Sequence, residues 1–175
     1  MKFISIIIFL FFNIFSLNIF AQTIAIINLN YLIDNNTEYK SILKQIEIDQ
    51  QIYLEDFNIK ENELKKKLDE IEESKLILTD KEINSQIDQY NNDLNNFSIL
   101  VEEFNSHYQN QIINIREFLV KQIVLLIQKY ANENNVDLVL DSTSYLIASN
   151  SLDITSYINE ELNKIDLNLE YTNFE

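Results

Sequence analysis

The sequence predicts a mainly α protein with a small β body: a long antiparallel coiled-coil hairpin set on a small α+β base. Three observations carry this expectation. Ile83, Ile87, Tyr90, Leu94, Phe97, Val101, Phe104 and Tyr108 recur at alternating steps of four and three residues, which draws an apolar seam down one side of a helix. Upstream, Tyr39, Ile46 and Tyr53 repeat every seven residues; the phase slips by four to Phe57, and Leu64, Ile71 and Leu78 resume it. Between the two series stands Thr79-Asp80, a short capping break, so two long amphipathic helices must fold back on one another.

Taken in order, Met1 to Ala21 carries one basic residue, Lys2, then a run of Ile, Phe and Leu, and ends on a small residue. That is the pattern of a secretory signal peptide cleaved after Ala21; the competing reading is an uncleaved anchor, since Phe3 to Phe20 is nearly long enough to span a bilayer. Ile24, Ala25, Ile26 and Ile27 are rich in β-branched residues and too few for a free helix, and predict a buried strand. Asn28 or Asn30 then caps a short helical turn through Tyr31, Leu32 and Ile33. Thr37 opens the outgoing arm, which runs to about Leu78, and Lys81 opens the returning arm, which runs to about Asn132.

The returning arm is the longer. Its final stretch, from Ile112 through Ile115, Leu119, Ile123 and Leu126 to Tyr130, is apolar on several faces and predicts entry into the body. Val136–Asp141 and Ser144–Ala148 read as two strands around a turn, and Asp153 as the cap of a last helix containing Ile154, Ile158, Leu162 and Ile165. From Asp166 onward the expectation is a frayed acidic tail. The division is thus 1–21 signal peptide; 22–37 with 112–165 as the body; 38–111 as the hairpin with its tip near 79–80; and 166–175 as the tail.

Composition narrows the chemistry. Among the 175 residues there is no cysteine, glycine or proline, which removes disulfides, thiolate chemistry and every glycine-rich phosphate loop. Formal net charge is −15; loss of Lys2 from the 13 basic residues leaves 12 against 28 acidic ones, a net of −16. Such a surface repels nucleic acid and anionic lipid. His107 is the single histidine, and Glu102 with Glu103, like Glu72 with Glu73, point to different sides of a helix. These patterns predict no catalytic residue, no metal site, no cofactor and no enzyme activity.

The succession of a signal segment, the strand Ile24-Ala25-Ile26-Ile27-Asn28, a long helical hairpin, the run Tyr130 to Asp141 and the closing Ser151-Leu152-Asp153-Ile154-Thr155 resembles the Skp/OmpH family of periplasmic chaperones. The run Tyr130 to Asp141 with the following helix start is the specific part. The resemblance implies a jellyfish-like homotrimer whose strands form a central body and whose hairpins hang as tentacles around a cavity. It further implies that the cavity holds unfolded outer-membrane β-barrel proteins without ATP. The rival reading is a structural coiled-coil spacer or adaptor of the cell envelope. The strong acidity departs from the basic surface of familiar members, so no lipopolysaccharide site is carried over.

Candidate functional residues follow. Ile24, Ile26, Leu138, Leu140 and Leu146 are assigned to the trimer body, and the seam from Ile83 to Tyr108 to holding the arms together. Lys65, Lys66 and Lys67 are either a contact near the tentacle tip or solvated surface. Asn91, Asn92, Asn95, Asn96 and Asn105 make the polar faces on which the client surface is expected to lie.

Overall fold

The computed structural model describes residues 22–174, so the expected signal peptide lies outside the described residues. Strand β1, Ile24–Ile27, leads into the short helix α1, Leu29–Asn35. Helix α2, Thr37–Ser74, is the outgoing arm and α3, Asp80–Asn134, the returning one. Strand β2, Leu138–Asp141, two 3-10 turns and helix α4, Thr155–Leu162, complete the ordered elements. At 38 and 55 residues the two arm helices span about 57 Å and about 83 Å.

Side-chain caps set these boundaries. Asn28 accepts from the Tyr31 amide at 2.9 Å to start α1, and Asn36 accepts from the Tyr39 amide at 2.8 Å to start α2. The cap of the outgoing arm is therefore Asn36, with Thr37 already inside the helix: Asn36 is buried and its carboxamide reaches an amide that burial would leave unpaired. Thr79 begins α3 through a capping box, its amide and hydroxyl both donating to Glu82 at 2.9 and 2.7 Å. These bonds hold the Glu82 carboxyl below its ordinary pKa. In a chain without glycine the left-handed turn that ends α3 falls to Asn135, at φ 52°, with the Val136 amide donating back to Ala131.

β1 and β2 run parallel, Ile24 opposite Leu138 and Ile27 opposite Asp141, and Asp153 bridges to Ile26 along the other edge of β1. Successive residues face opposite ways, so Ala25, Ile27 and Val139 pack into the helical core while Ile24, Ile26, Leu138 and Leu140 form the far face. The base is pinned by side chains reaching main chain across it. Leu29 donates to Asp141 at 3.0 Å, Asn28 to Thr155 at 2.9 Å and Thr23 to Asp137 at 2.8 Å. Burial pushes the Asp141 carboxyl up, but bonds from Thr143, Leu29 and Ser142 outweigh it and hold its pKa below the ordinary value.

Four expectations are corrected. Ser144–Ala148 is not a strand: Asp141 accepts from Thr143 and tightens the chain into a 3-10 turn, after which Leu146 and Ile147 stand fully in solvent with no strand beside them. The outgoing helix stops at Ser74, and Lys75 to Leu78 form the tip turn. The last helix ends at Leu162, short of Ile165, and Asp153 serves it from one residue outside the cap by accepting from Thr155 at 2.8 Å. The tail is not frayed. Leu167 is buried, and Leu169, Tyr171 and Phe174 pack against the main core, because the arm root offers an apolar surface and several unpaired polar groups to receive them.

Candidate functional site

The arm has two unlike surfaces, a seam and a back. In the seam, Ile83, Phe104 and Tyr108 are buried; Ile87, Tyr90, Phe97 and Val101 are half-buried; Leu94 remains 40% exposed. Tyr90, Leu94, Phe97 and Val101 line, with Leu64 and Leu68 of α2, a groove of about 730 Å³ along the middle of the hairpin. The residues expected to zip the arms therefore do so fully at the two ends and leave between them an open trough, apolar at its floor and bordered by Asn58, Glu61, Asn62, Lys65 and Ser98.

On the back of α2, Ile48, Ile52 and Ile59 are 53%, 60% and 55% exposed. At 100° per residue they fall within roughly 40° of each other and about 140° from the seam residues Tyr53, Phe57 and Leu64. Their spacing of four and seven is a second stripe that the stronger heptad of the seam conceals in the sequence. The expectation that the client surface lies on the Asn-rich faces of the returning helix leaves out this apolar line on the outgoing one.

The lysine run separates. Lys67 reaches across the hairpin to Asp93 at 2.6 Å, Lys66 lies 3.9 Å from Glu70 on its own helix, and Lys65 borders the groove. All three sit roughly two turns or more back from the tip, where Leu76 and Ile77 are the exposed apolar residues. In the base, Ile24, Ile26, Leu138 and Leu140 share the far face of the sheet; Ile24 and Leu138 are well exposed, and Leu146 lies beyond it, free of the protein surface. The outer edge of β2 pairs with no strand among the described residues.

At the root, an aromatic cluster fills the slip in the heptad phase. Phe57 stands edge-on to Phe97 and Phe104 at 5.8 and 5.0 Å, and Tyr53 lies 5.5 Å from Phe104. The tail completes it with Phe174, 5.7 Å from Tyr53 and 5.6 Å from both Phe104 and His107. His107 bonds the Thr172 carbonyl at 2.7 Å, Gln111 donates to the Thr172 hydroxyl at 2.6 Å, and the Tyr53 hydroxyl donates to the Phe174 carbonyl. Tyr171 donates to Asp49 at 2.6 Å, and that carboxylate pushes the Tyr171 pKa up to about 12. His107 is half-buried and holds the tail.

No three His, Cys, Asp or Glu side chains gather to hold a metal ion among the described residues, and no helix there is long and apolar enough to cross a membrane.

The family model for outer membrane protein (OmpH-like) matches residues 23–162, from the start of β1 to the end of α4. The chain belongs to the OmpH-like family. The fold agrees: a crystal structure from Caulobacter crescentus, described as an OmpH-like outer membrane chaperone, is similar with a TM-score of 0.71 over 89% of this chain and 92% of that one, at 13% sequence identity. No curated protein matches. The OmpH-like match stops at Leu162, so the docked tail lies beyond it.

Proposed function

We propose that this OmpH-like chain is a periplasmic, ATP-independent holdase that binds unfolded outer-membrane β-barrel proteins and prevents their aggregation. Family membership supports the chaperone role. The observation that carries the reading is the arm: a hairpin bearing an exposed apolar stripe, Ile48, Ile52 and Ile59, on its back and an open trough between its helices. Such a surface offers an unfolded chain many separate weak apolar contacts and no deep pocket that would select one sequence.

The working form is a homotrimer. An unpaired β2 edge and the exposed Ile24 and Leu138, with half-buried Leu140, on the far sheet face support self-association, while Ile26 of that face is already buried within the chain. Three arms around one cavity convert weak contacts into tight, reversible holding through high effective concentration. Export by way of residues 1–21 delivers the chain to its clients, with 22–37 and 112–165 together as the body and 38–111 as the tentacle.

The test has two parts. Native mass measurement of the exported chain is expected to give three times the protomer mass, and the protein is expected to suppress aggregation of a urea-unfolded β-barrel protein on dilution. Replacing Ile48, Ile52 and Ile59 together by serine weakens that suppression several-fold without changing the mass. A monomer without suppression overturns the proposal. Failure of crosslinkers on the arm to capture unfolded barrel protein favours the envelope spacer instead.

A further inference from the structure

The tail contacts are of an unusual kind for a chain terminus. Residues 166–174 are neither helix nor strand, and Leu167, Leu169 and Tyr171 alternate with polar residues before Phe174. Asn168, at φ 48°, turns the segment onto the arm. Of the bonds that hold it, those from His107 to the Thr172 carbonyl and from Tyr53 to the Phe174 carbonyl take main-chain atoms, which every peptide possesses. The Phe174 amide, in turn, donates at 3.5 Å to the Tyr108 hydroxyl. Side-chain contacts add selection: Gln111 donates to the Thr172 hydroxyl, Leu167 is buried, and two places take an aromatic side chain. Asp49 accepts a tyrosine hydroxyl, and the slot between Tyr53, Phe104 and His107 takes an aromatic ring. Main-chain bonds for affinity with alternate side-chain sites for selection is the way extended peptides are recognised.

We propose that the strip along the arm root formed by Asp49, Tyr53, Phe104, His107 and Tyr108 is a binding site for segments that alternate apolar and polar residues and carry aromatic ones, and that the tail occupies it in cis as an internal competitor. The partner follows from the holdase reading, on which this inference rests: strands of membrane β-barrels alternate apolar and polar residues and carry aromatic girdles, the same pattern as Leu167 to Phe174. The tail lies outside the residues that match the family model. Its tether makes it a strong competitor at high effective concentration, so only long or multiply attached client chains displace it.

The chain has no cysteine, which permits a clean test. Gln111→Cys and Thr172→Cys place two thiols where their side chains now meet, 2.6 Å apart at their tips. One sample is bridged with a short thiol-to-thiol linker and the other capped separately at each thiol. Both receive a dye-labelled peptide with the sequence of residues 166–174, followed by fluorescence anisotropy, with circular dichroism to establish equal folding. The capped protein is expected to bind the peptide at least tenfold more tightly than the bridged one, and Phe174→Ala in the unmodified full chain to bind it several-fold more tightly than the parent. Equal affinity in bridged and capped forms, or binding to neither, overturns the inference. Aggregation suppression of the urea-unfolded barrel protein by the parent chain separates the two readings: suppression with no effect of bridging leaves the holdase and removes the strip, whereas peptide competition without suppression does the reverse.

Discussion

The distal arm and the root are built from the same four-three repeat on the same two helices, yet they differ in what the repeat is pressed against. At the root, Tyr108, Leu119 and Ile123 are fully buried, enclosed by α1, α4 and the tail as well as by the partner arm. In the distal arm Tyr90, Leu94 and Phe97 meet only the facing helix, and solvent reaches each of them. A heptad therefore specifies which side of a helix is apolar and says little about how dry that side becomes. Dryness depends on how many other elements arrive, and at the root four do.

The largest expected contrast is between Leu119→Ala and Leu94→Ala. Truncating the enclosed Leu119 should cost about 2–5 kcal/mol, whereas at the partly exposed Leu94 the loss should stay under about 1 kcal/mol, because less transfer energy and no closed cavity are involved. Urea midpoints at constant m-value decide it; equal losses would show the distal seam to be as dry as the root. Next in size is Asp141→Ala, which leaves the Leu29 and Thr143 amides without their acceptor and should cost about 1–3 kcal/mol. Its folded pKa is depressed, so its contribution is complete above the unfolded carboxylate value and disappears as pH falls through the lower folded one. The acid limb of the parent's stability profile should flatten in Asp141→Asn, and an unchanged limb would assign the acid sensitivity elsewhere. The smallest effect belongs to the arm: the half-exposed Lys67–Asp93 pair should give a coupling below about 1 kcal/mol in a double-mutant cycle, fading as salt is raised.

Much of this architecture is legible in the sequence because it is local. The seam, the Thr79 capping box, the strand Ile24–Ile27 and the polar break after Asn134 each depend on residues within a few positions of one another. The misses depend on distant partners. Ser144–Ala148 has the composition of a strand but finds no neighbour to pair with, and β-propensity means little without one. Leu167 to Phe174 reads as an acidic end, since nothing near it in sequence reveals that Tyr53, Tyr108 and His107, more than sixty residues away, present groups to its main chain. Ile48, Ile52 and Ile59 are visible in the sequence, but a periodicity search settles on the stronger stripe and stops there.

Helix α3 exceeds its partner by 17 residues, 55 against 38, and carries neither glycine nor proline from the tip to Asn134. One uninterrupted rod therefore belongs to both arm and base, and there is no joint where they meet. Sideways load at the distal end of α3 is carried along the helix to the base, with no loop between to absorb it. The arm behaves as a sprung lever: it yields by shallow curvature along its length and returns to its rest position when the load is removed.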